Sequence, residues 1–235
     1  KLSGDDLIRG VAALQHRSVE EVIKVAGPSG QDLGVAYVEA PVSGIVCGID
    51  IETTDRDPSR GYIINIGIEF MRLTPTAKPE HPFSSYCGIP ELYREKGVPL
   101  AFVHHISWDD LAGKKPLRQH NKMQRAILAT LEMYPFMAHN ASFEDSWFMM
   151  QIDGYAEARK AGRITPIDTR DICRRIDPEY KTLPHDSKPA TLENWARRRG
   201  TLKANQKETH LGLEDVDLMF RTVQAEFAER NMFSS

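Results

Sequence analysis

Two acidic side chains, Asp50 and Glu52, stand one residue apart at the end of an apolar run, 44–51. The length and composition of this run predict a strand, and residues i and i+2 of a strand point to the same face of a sheet. Neighbouring carboxylates repel each other inside a fold unless a cation lies between them. Because carboxylate oxygens suit Mg²⁺ or Mn²⁺, the pair predicts a divalent-metal site. Two incidental acids at a solvent-exposed strand end are the alternative.

A second acidic pair, Glu144 and Asp145, belongs to the segment 139–145, which reads His-Asn-Ala-Ser-Phe-Glu-Asp. The segment follows a predicted short strand, 134–138, and enters a predicted helix, 142–151. Carboxylates in the first turn of a helix are also favoured by the helix dipole. A capping role is therefore the alternative to metal binding for this pair.

The third feature is His210, which precedes Asp215 by five residues. An apolar stripe at helical spacing predicts a last helix over 213–229. His210 then lies just outside this helix and Asp215 in its first turn, so both are placed to face one cleft. A surface or capping role is the alternative for a single histidine in this position.

The elements that must position these residues follow from hydrophobic periodicity. Apolar runs at 44–51 and 62–70 predict two strands joined by a turn at 55–61, and 84–89 predicts a third. Helical spacing at 119–133, 142–151, 192–199 and 213–229, with a strand at 134–138, predicts an α/β domain with a mixed sheet. Residues 1–40 are predicted to form a helical N-terminal extension, and 41–235 the main domain.

Composition excludes several classes of protein. The chain has 235 residues, of which 41% are hydrophobic and 27% charged, as in an ordinary globular domain. Cys47, Cys87 and Cys173 are widely spaced without a Cys-x-x-Cys pair, which argues against a disulfide framework or a zinc site and favours the reducing cytoplasm. Apolar runs are too short to cross a membrane.

Charge is unevenly distributed along the chain. The formal net charge is −3, yet 155–203 carries twelve lysines and arginines against seven acids, a difference of +5. The densest points are Arg174-Arg175 and Arg197-Arg198-Arg199. This stretch predicts either a solvated helical face or a surface that follows nucleic-acid phosphates and binds them in a salt-sensitive manner.

Taken in order, the three acidic features resemble the DnaQ-like exonucleases of the ribonuclease H-like superfamily. They are most similar to the branch named DEDDh for its four acids and one histidine, and the resemblance extends over 44–227. It implies a ribonuclease H-like mixed sheet flanked by helices. Smaller matches are Ile63-Ile64-Asn65-Ile66-Gly67, His104-His105-Ile106-Ser107, Asp168-Thr169 and Thr191-Leu192-Glu193-Asn194-Trp195.

The resemblance also implies an activity. Such an enzyme hydrolyses the 3′-terminal phosphodiester of a single strand to nucleoside 5′-monophosphates with two divalent metal ions, Mg²⁺ or Mn²⁺, and a histidine general base. The base would be His210, with DNA favoured over RNA as substrate. The metal-binding and catalytic acids would be Asp50, Glu52, Glu144 and Asp215, and the terminal nucleotide would contact Ile51, Thr53, Thr54, Asn140 and Phe143.

Several points stay open at this stage. The family usually has aspartate directly after the phenylalanine, where this chain has Glu144, so Asp145 is a second candidate ligand. Phe143 is equally well explained as a core residue.

Alternative functions are an endonuclease with the same acids, an oligoribonuclease-type RNA exonuclease, or a non-catalytic nucleic-acid-binding domain with a decayed site. The expected partners are the 3′ ends of single-stranded DNA or RNA. Two further options are association with a DNA polymerase, as in a polymerase III epsilon-like subunit, and homodimerisation.

Overall fold

A five-stranded mixed sheet organises the computed structural model, which describes residues 25–26 and 37–233. Two short strands come first in the chain and pair with each other, and the next two strands form the predicted hairpin. The sheet order is β5-β4-β3-β6-β7, in which β4 is antiparallel to both β3 and β5, and β6 and β7 run parallel to β3. The strands are β1 Val25–Ala26, β2 Tyr37–Val38, β3 Ile45–Thr53, β4 Ile63–Arg72, β5 Glu80–Tyr86, β6 Phe136–Ala138 and β7 Pro166–Asp168.

Helices pack on both faces of this sheet. Three one-turn helices lie in the connection between β5 and β6, before the longer helix that leads into β6. The last helix covers β3 and β4. The helices are α1 Tyr93–Lys96, α2 Ala101–His104, α3 Trp108–Leu111, α4 Asn121–Met133, α5 Ser142–Gln151, α6 Tyr155–Lys160, α7 Thr169–Ile176, α8 Leu192–Arg198 and α9 Gly212–Glu229.

This architecture confirms the predicted fold class, a mixed sheet flanked by helices. The predicted helix 142–151 coincides with α5, and the predicted helix 213–229 begins one residue after α9 does. The third strand was predicted too late, at 84–89, whereas β5 spans Glu80–Tyr86. Only Phe83 is buried in that strand, so its sequence lacks the alternation on which the prediction depends.

The alternation of side chains along β3 separates the core from the acids. Cys47, Ile49 and Ile51 point to one face and belong to a buried cluster with α4 and α5. Asp50 and Glu52 point to the opposite face. That face is covered by α9, since a Cβ atom on Gly48 would come within 2.6 Å of side-chain atoms of Val216 and Phe220.

Two glycines allow the start of α9 to approach the sheet closely. A Cβ atom on Gly67 would lie 2.1 Å from the carbonyl carbon of Gly212, so neither position has room for a side chain. The amide of Gly212 donates a hydrogen bond of 3.1 Å to Oδ1 of the buried Asn65. Gly67 stands opposite Asp50 in the β-ladder, and Asn65 stands opposite Glu52. The first turn of α9 is therefore held directly beside the two acids of β3.

Most of the segment 1–40 falls outside the described residues. Its described part contains β1 and β2, an antiparallel pair with Val25 opposite Val38. Val25 was included in the predicted helical extension, and here it lies in a strand. The prediction for residues 1–24 and 27–36, and the domain boundary at 40, stay predictions.

Candidate active site

The first two carboxylates lie at the end of β3, on the face covered by α9. Asp50 is half-buried, and its Oδ2 atom is buried without a hydrogen-bond partner in the described part of the chain. Burial, followed by repulsion from Glu144, Glu52, Asp215 and Glu208, raises the pKa of Asp50 well above its usual range. Asp50 is thus surrounded by other acids.

The second contribution comes from the start of α9. One ligand atom from each of Glu52, His210 and Asp215 lies within 4.8 Å of the other two, an arrangement that suits a metal ion. Asp215 is 4% exposed and accepts a hydrogen bond of 3.2 Å from Oγ1 of Thr209. His210 has a φ of 53°, a left-handed backbone conformation that histidine adopts more readily than most residues. The predicted residues from β3 and α9 are therefore brought together.

The first turn of α5 contributes the third part of the site. Its two acids, Glu144 and Asp145, make different contacts. Glu144 is 3% exposed, and its Oε2 atom finds no hydrogen-bond partner among the described residues. Burial, with repulsion from Asp168, Glu52 and Asp145, raises its pKa well above the usual range. Asp145 instead accepts hydrogen bonds from the Tyr155 hydroxyl at 2.6 Å and from Nε of Arg159 at 3.0 Å.

The electrostatics of this cluster fit a divalent cation. Burial and repulsion from Asp215 and Glu208 raise the pKa of Glu52 to about 8. Burial raises the pKa of Asp215 to about 6, against the opposing effect of His210. Repelling carboxylates with unpartnered buried oxygens are costly in a fold, and cations shared between them would remove that cost. Carboxylate oxygens are the ligands that hard cations such as Mg²⁺ or Mn²⁺ prefer.

We expect the protein in EDTA to lose stability as pH rises from about 5 to about 8. The pKa of Glu52 rises from an ordinary value of 4.5 to about 8, so the folded protein holds this proton where the unfolded chain has released it. Because the folded state binds more protons in this window, its free energy of unfolding falls as pH increases. Each kcal/mol by which the free energy of unfolding falls lowers the midpoint of thermal unfolding by about 2–4 °C in a protein of this size.

Thermal unfolding in EDTA across this pH range measures the effect. Mn²⁺ should raise the midpoint most near the upper end, where the acids are ionised, and Glu52→Gln should flatten the dependence on pH. A midpoint that is equally high at both ends in EDTA would show that the acids do not repel one another as the structure implies.

The residues predicted to contact the terminal nucleotide from β3 have other contacts. Ile51 is 4% exposed within the core, which leaves only its main-chain atoms for such a contact. The Thr53 hydroxyl donates a hydrogen bond of 2.7 Å to the carbonyl of Asp55. The Thr54 hydroxyl accepts one of 2.9 Å from the amide of Tyr62. Both threonine side chains thus close the β3–β4 loop beside the acids.

Asn140 and Phe143 lie where β6 passes into α5. Asn140 has a φ of 86°, and its amide donates a hydrogen bond of 3.0 Å to Oδ1 of Asp168. Phe143 is half-buried, packs against the core and has its ring 6.0 Å from that of Trp147. Its inner edge is therefore a core contact, and its exposed part stays available for the predicted stacking on a base.

Ion pairs account for the densest part of the basic stretch. The Arg199 side chain is 2% exposed and pairs with Asp177, Glu179, Glu226 and Glu229. Arg198 pairs with Asp177 at 2.6 Å. These arginines tie α8 to neighbouring acidic segments, so neither a solvated face nor a phosphate-binding surface describes them. Arg170 and Arg174, in another part of the basic stretch, lie near His139. Burial, together with the positive charges of these two arginines, lowers the pKa of His139 to about 4.

Sequence patterns missed two acids of this region. Glu208 is half-buried, and burial together with Asp215 and Glu193 raises its pKa to about 8. It belongs to a loop without hydrophobic periodicity, so no pattern indicated it. Asp168 was noticed only as part of a minor match. It caps α7, accepts the amides of Asn140 and Arg170, and repels Glu144.

Comparison with solved structures shows where else this arrangement of strands and helices occurs. A full-length 3′-exonuclease superposes with a TM-score of 0.55 at 13% identity, over 83% of this chain and 84% of that chain. A product-bound exonuclease I gives a TM-score of 0.58 at 14% identity, over 80% of this chain and 45% of its own. The chain has the fold of these exonucleases.

The shared fold does not extend to the whole of exonuclease I. A third structure, E. coli exonuclease I with a zinc ion and single-stranded DNA, gives a TM-score of 0.55 at 14% identity, over 80% of this chain and 41% of its own. The chain therefore spans less than half the length of the exonuclease I chains. Sequence comparison with protein-family models and with curated proteins finds no match.

Proposed function

We propose that the protein is a metal-dependent 3′–5′ exonuclease that releases nucleoside 5′-monophosphates from single-stranded nucleic acid, with DNA favoured over RNA. The observation that carries the proposal is the convergence of Asp50, Glu52, Glu144, Asp215 and His210, from three separate elements, in one acidic cluster. The fold shared with 3′-exonucleases supports it. E. coli exonuclease I was solved with a zinc ion and single-stranded DNA, which supports both a metal and that substrate.

The four carboxylates would hold two divalent cations, Mg²⁺ or Mn²⁺. Bound there, the cations would supply the positive charge that stabilises the attacking and leaving oxygens of a phosphodiester in its transition state. Asp50 would be the shared ligand, because the structure surrounds it with the other acids. Without cations, the same acids would repel the phosphate, so the proposal requires complete dependence on a divalent metal.

His210 would act as the general base. An imidazole accepts a proton at a ring nitrogen near neutral pH, as required for removing a proton from the attacking water. Thr209, the preceding residue, is bonded to Asp215, and Leu211, the following one, packs beside the cluster of Ile64 and Ile106. These contacts on either side hold the imidazole close to Glu52 and Asp215.

Glu144 rather than Asp145 would be the ligand from α5. The carboxylate of Glu144 is repelled by Glu52, which places it beside the β3 acids, and its Oε2 atom is free to bind a cation. Asp145 instead pairs with Arg159 and accepts a hydrogen bond from the Tyr155 hydroxyl. The methylene that glutamate adds over the family's usual aspartate is thus compatible with an intact site, which weakens the decayed-site alternative.

The two acids should respond in opposite ways to substitution. Glu144→Gln should abolish Mn²⁺-dependent cleavage while the midpoint of thermal unfolding in EDTA is unchanged or higher, because one repelling charge is removed. Asp145→Asn should leave Mn²⁺ affinity unchanged and cost up to about 3–5 kcal/mol of unfolding free energy, because the buried pair with Arg159 loses its negative charge. Calorimetry of Mn²⁺ binding and denaturant unfolding separate the two effects. The reverse pattern would make Asp145 the ligand.

A nucleic-acid strand would leave the site past an exposed aromatic residue and two arginines. Phe102 is 80% exposed on α2, whose buried His104 accepts the amide of Ile106 and bonds to the carbonyl of Pro99. Ile106 belongs to the cluster against which Leu211, next to His210, also packs. Exposed aromatic rings stack on bases without sequence preference. Arg170 and Arg174, which lie near His139 just before α5, would supply positive charge for the phosphates of the strand.

Circular single-stranded DNA separates the proposed function from its alternatives. With Mn²⁺, the protein should degrade a linear single strand to mononucleotides and leave the circle intact, because the circle offers no 3′ end. An endonuclease would cut the circle. A non-catalytic binding domain would retain both substrates intact while shifting them in a gel. Preferential degradation of short RNA would instead favour the oligoribonuclease-type alternative.

The remaining expectations concern the location of the protein and its partners. The described part of the chain contains no helix long and apolar enough to cross a membrane. Cys47, Cys87 and Cys173 are free and buried, which is consistent with the proposed cytoplasmic location. Association with a DNA polymerase and homodimerisation remain proposals drawn from the resemblance alone.

A further inference from the structure

A cavity of about 350 Å³ lies between β4, α9 and the loop that precedes α9. Helix α9 lines it with Glu214, Asp217, Leu218 and Arg221, which lie along one side of the helix because they are three or four residues apart. The volume lies in the range of about 300–1,000 Å³ that is typical of sites for small molecules. We refer to this space as the α9 cavity.

Glu69 contributes a buried carboxylate to the α9 cavity from β4. Its side chain points to the face of the sheet that α9 covers, since Glu69 stands opposite Gly48 in the β-ladder. Glu69 is only 8% exposed, and its Oε2 atom is buried without a hydrogen-bond partner in the described part of the chain. A buried acceptor without a donor is costly in a fold. A ligand that donates a hydrogen bond in the cavity would offset that cost.

The charge of the α9 cavity favours a cationic ligand. Arg221 also lines the cavity, but its guanidinium pairs with Asp217 at 2.7 Å and donates to the carbonyl of Thr201 at 2.9 Å. Lys207, the second basic residue of the lining, is exposed. These two face five acids, which are Glu69, Glu208, Glu214, Asp215 and Asp217. The excess of acids attracts positive charge.

A bare metal ion is not the cation that the α9 cavity favours. A small divalent cation requires several ligand atoms that converge on one point. Among the residues that the structure describes, such a convergence is formed by Glu52, His210 and Asp215, and Glu69 is not part of it. The Glu69 carboxylate is therefore better suited to a cation that brings its own hydrogen-bond donors.

The apolar part of the α9 cavity indicates which cation this is. Leu202, Leu213 and Leu218 line it together with the acids, and Leu218 is only 4% exposed. An ammonium group donates up to three hydrogen bonds to carboxylates, and a methylene chain attached to it is stabilised by contact with leucine side chains. Acids and leucines in one cavity thus match both ends of an aliphatic amine.

We propose that the α9 cavity is a binding site for an alkylammonium group, with Glu69 accepting its N–H donors and the three leucines contacting its methylene chain. A free aliphatic amine and the lysine side chain of a partner protein both present this chemistry. The inference is independent of the proposed function. Of the five residues assigned to the catalytic cluster, only Asp215 borders the cavity.

Calorimetric titration of 1,4-diaminobutane into the metal-free protein, without nucleic acid, tests the inference. Glu69→Gln should weaken binding by at least about 10-fold, because a charge-assisted hydrogen bond in a buried position is lost. Glu95→Gln makes the same change at an exposed position outside the cavity and should leave the affinity unchanged. Burial, with repulsion from Asp217 and Glu214, raises the pKa of Glu69 to about 7, so a titration at about pH 8 keeps Glu69 ionised.

Two further variables locate the amine in the cavity. Asp50→Asn should affect the affinity much less than Glu69→Gln, because Asp50 does not line the cavity. n-Butylammonium should bind several-fold more tightly than methylammonium, because its longer chain buries more apolar surface against the leucines. Thermal unfolding checks folding, and Glu69→Gln should be at least as stable as the original protein, since a buried charge is removed.

Nα-Acetyl-lysine methylamide distinguishes the two sources of the ammonium group. Binding as tight as that of n-butylammonium would assign the cavity to a partner's lysine, and binding of the free amines alone would assign it to a small molecule. No saturable binding of any of these amines, or equal affinities for the original protein and Glu69→Gln, would overturn the inference. A larger loss with Asp50→Asn than with Glu69→Gln would also overturn it, because the amine would then bind among the catalytic acids.

Discussion

Asp50→Ala should reduce metal-dependent cleavage to the background level, a loss of at least about 10³-fold. Asp50 is repelled by Glu144, Glu52, Asp215 and Glu208, so it occupies the centre of the acidic cluster. Its buried Oδ2 atom finds no protein partner within the described chain and is free to bind a cation. Cations contribute several kcal/mol to stabilising a phosphoryl transition state, and each 1.36 kcal/mol corresponds to about tenfold in rate.

The measurement is turnover of a single-stranded oligonucleotide at saturating Mn²⁺. Asp50→Asn is the better matched variant, because it preserves the shape of the side chain, and it should lose activity to the same extent. Both variants should unfold in EDTA at a temperature no lower than the original protein, since they remove a repelling charge. Asp186→Asn, at an exposed position, is the control for an unrelated aspartate. A fully active Asp50→Ala protein would rule out the two-cation site.

Replacing His210 should lower turnover by about 10²–10⁴-fold with little change in Mn²⁺ affinity, as expected for the loss of a general base. The left-handed backbone at His210 makes alanine a poor choice alone, because its cost in that conformation would add to the effect. His210→Asn and His210→Gly tolerate the same backbone and remove the imidazole. His210→Ala, His210→Asn and His210→Gly should all lose turnover to a similar degree.

Mn²⁺ calorimetry on the same variants distinguishes a general base from a metal ligand. The imidazole lies close enough to Glu52 and Asp215 to bind a cation directly. If His210 were a ligand, Mn²⁺ affinity would fall together with turnover. His185→Ala, which alters an exposed histidine, should change neither quantity. Near-normal turnover in the His210 variants would show that another group removes the proton.

The parts of the fold that could be predicted are those with strong hydrophobic periodicity. β3 and β4 are apolar over nearly their whole length, and α4 and α9 carry clear apolar stripes. β7 has three residues, too few for a period to show, and the strand was not predicted. The one-turn helices α1, α2 and α3 are also too short for an apolar stripe, and they depend on local contacts such as the bonds of His104.

The candidate site was predictable only where residue spacing determines direction. Alternation along β3 placed Asp50 and Glu52 on one face, and the first turn of α9 placed Asp215 beside His210. Spacing could not separate Glu144 from Asp145, because the difference lies in Arg159 and Tyr155 on the next helix. Arg198 and Arg199 were misread for a similar reason, since their acidic partners come from distant segments of the chain.

The most direct measurement uses single strands of DNA and RNA labelled at either the 3′ or the 5′ end. Each strand is incubated with the protein in Mn²⁺, Mg²⁺ or EDTA. We expect rapid release of the 3′ label as a mononucleotide, only with metal and faster from DNA, while the 5′ label stays on a progressively shorter strand. Release of the 5′ label first, or intact strands with both metals despite tight binding, would contradict the proposed 3′–5′ exonuclease.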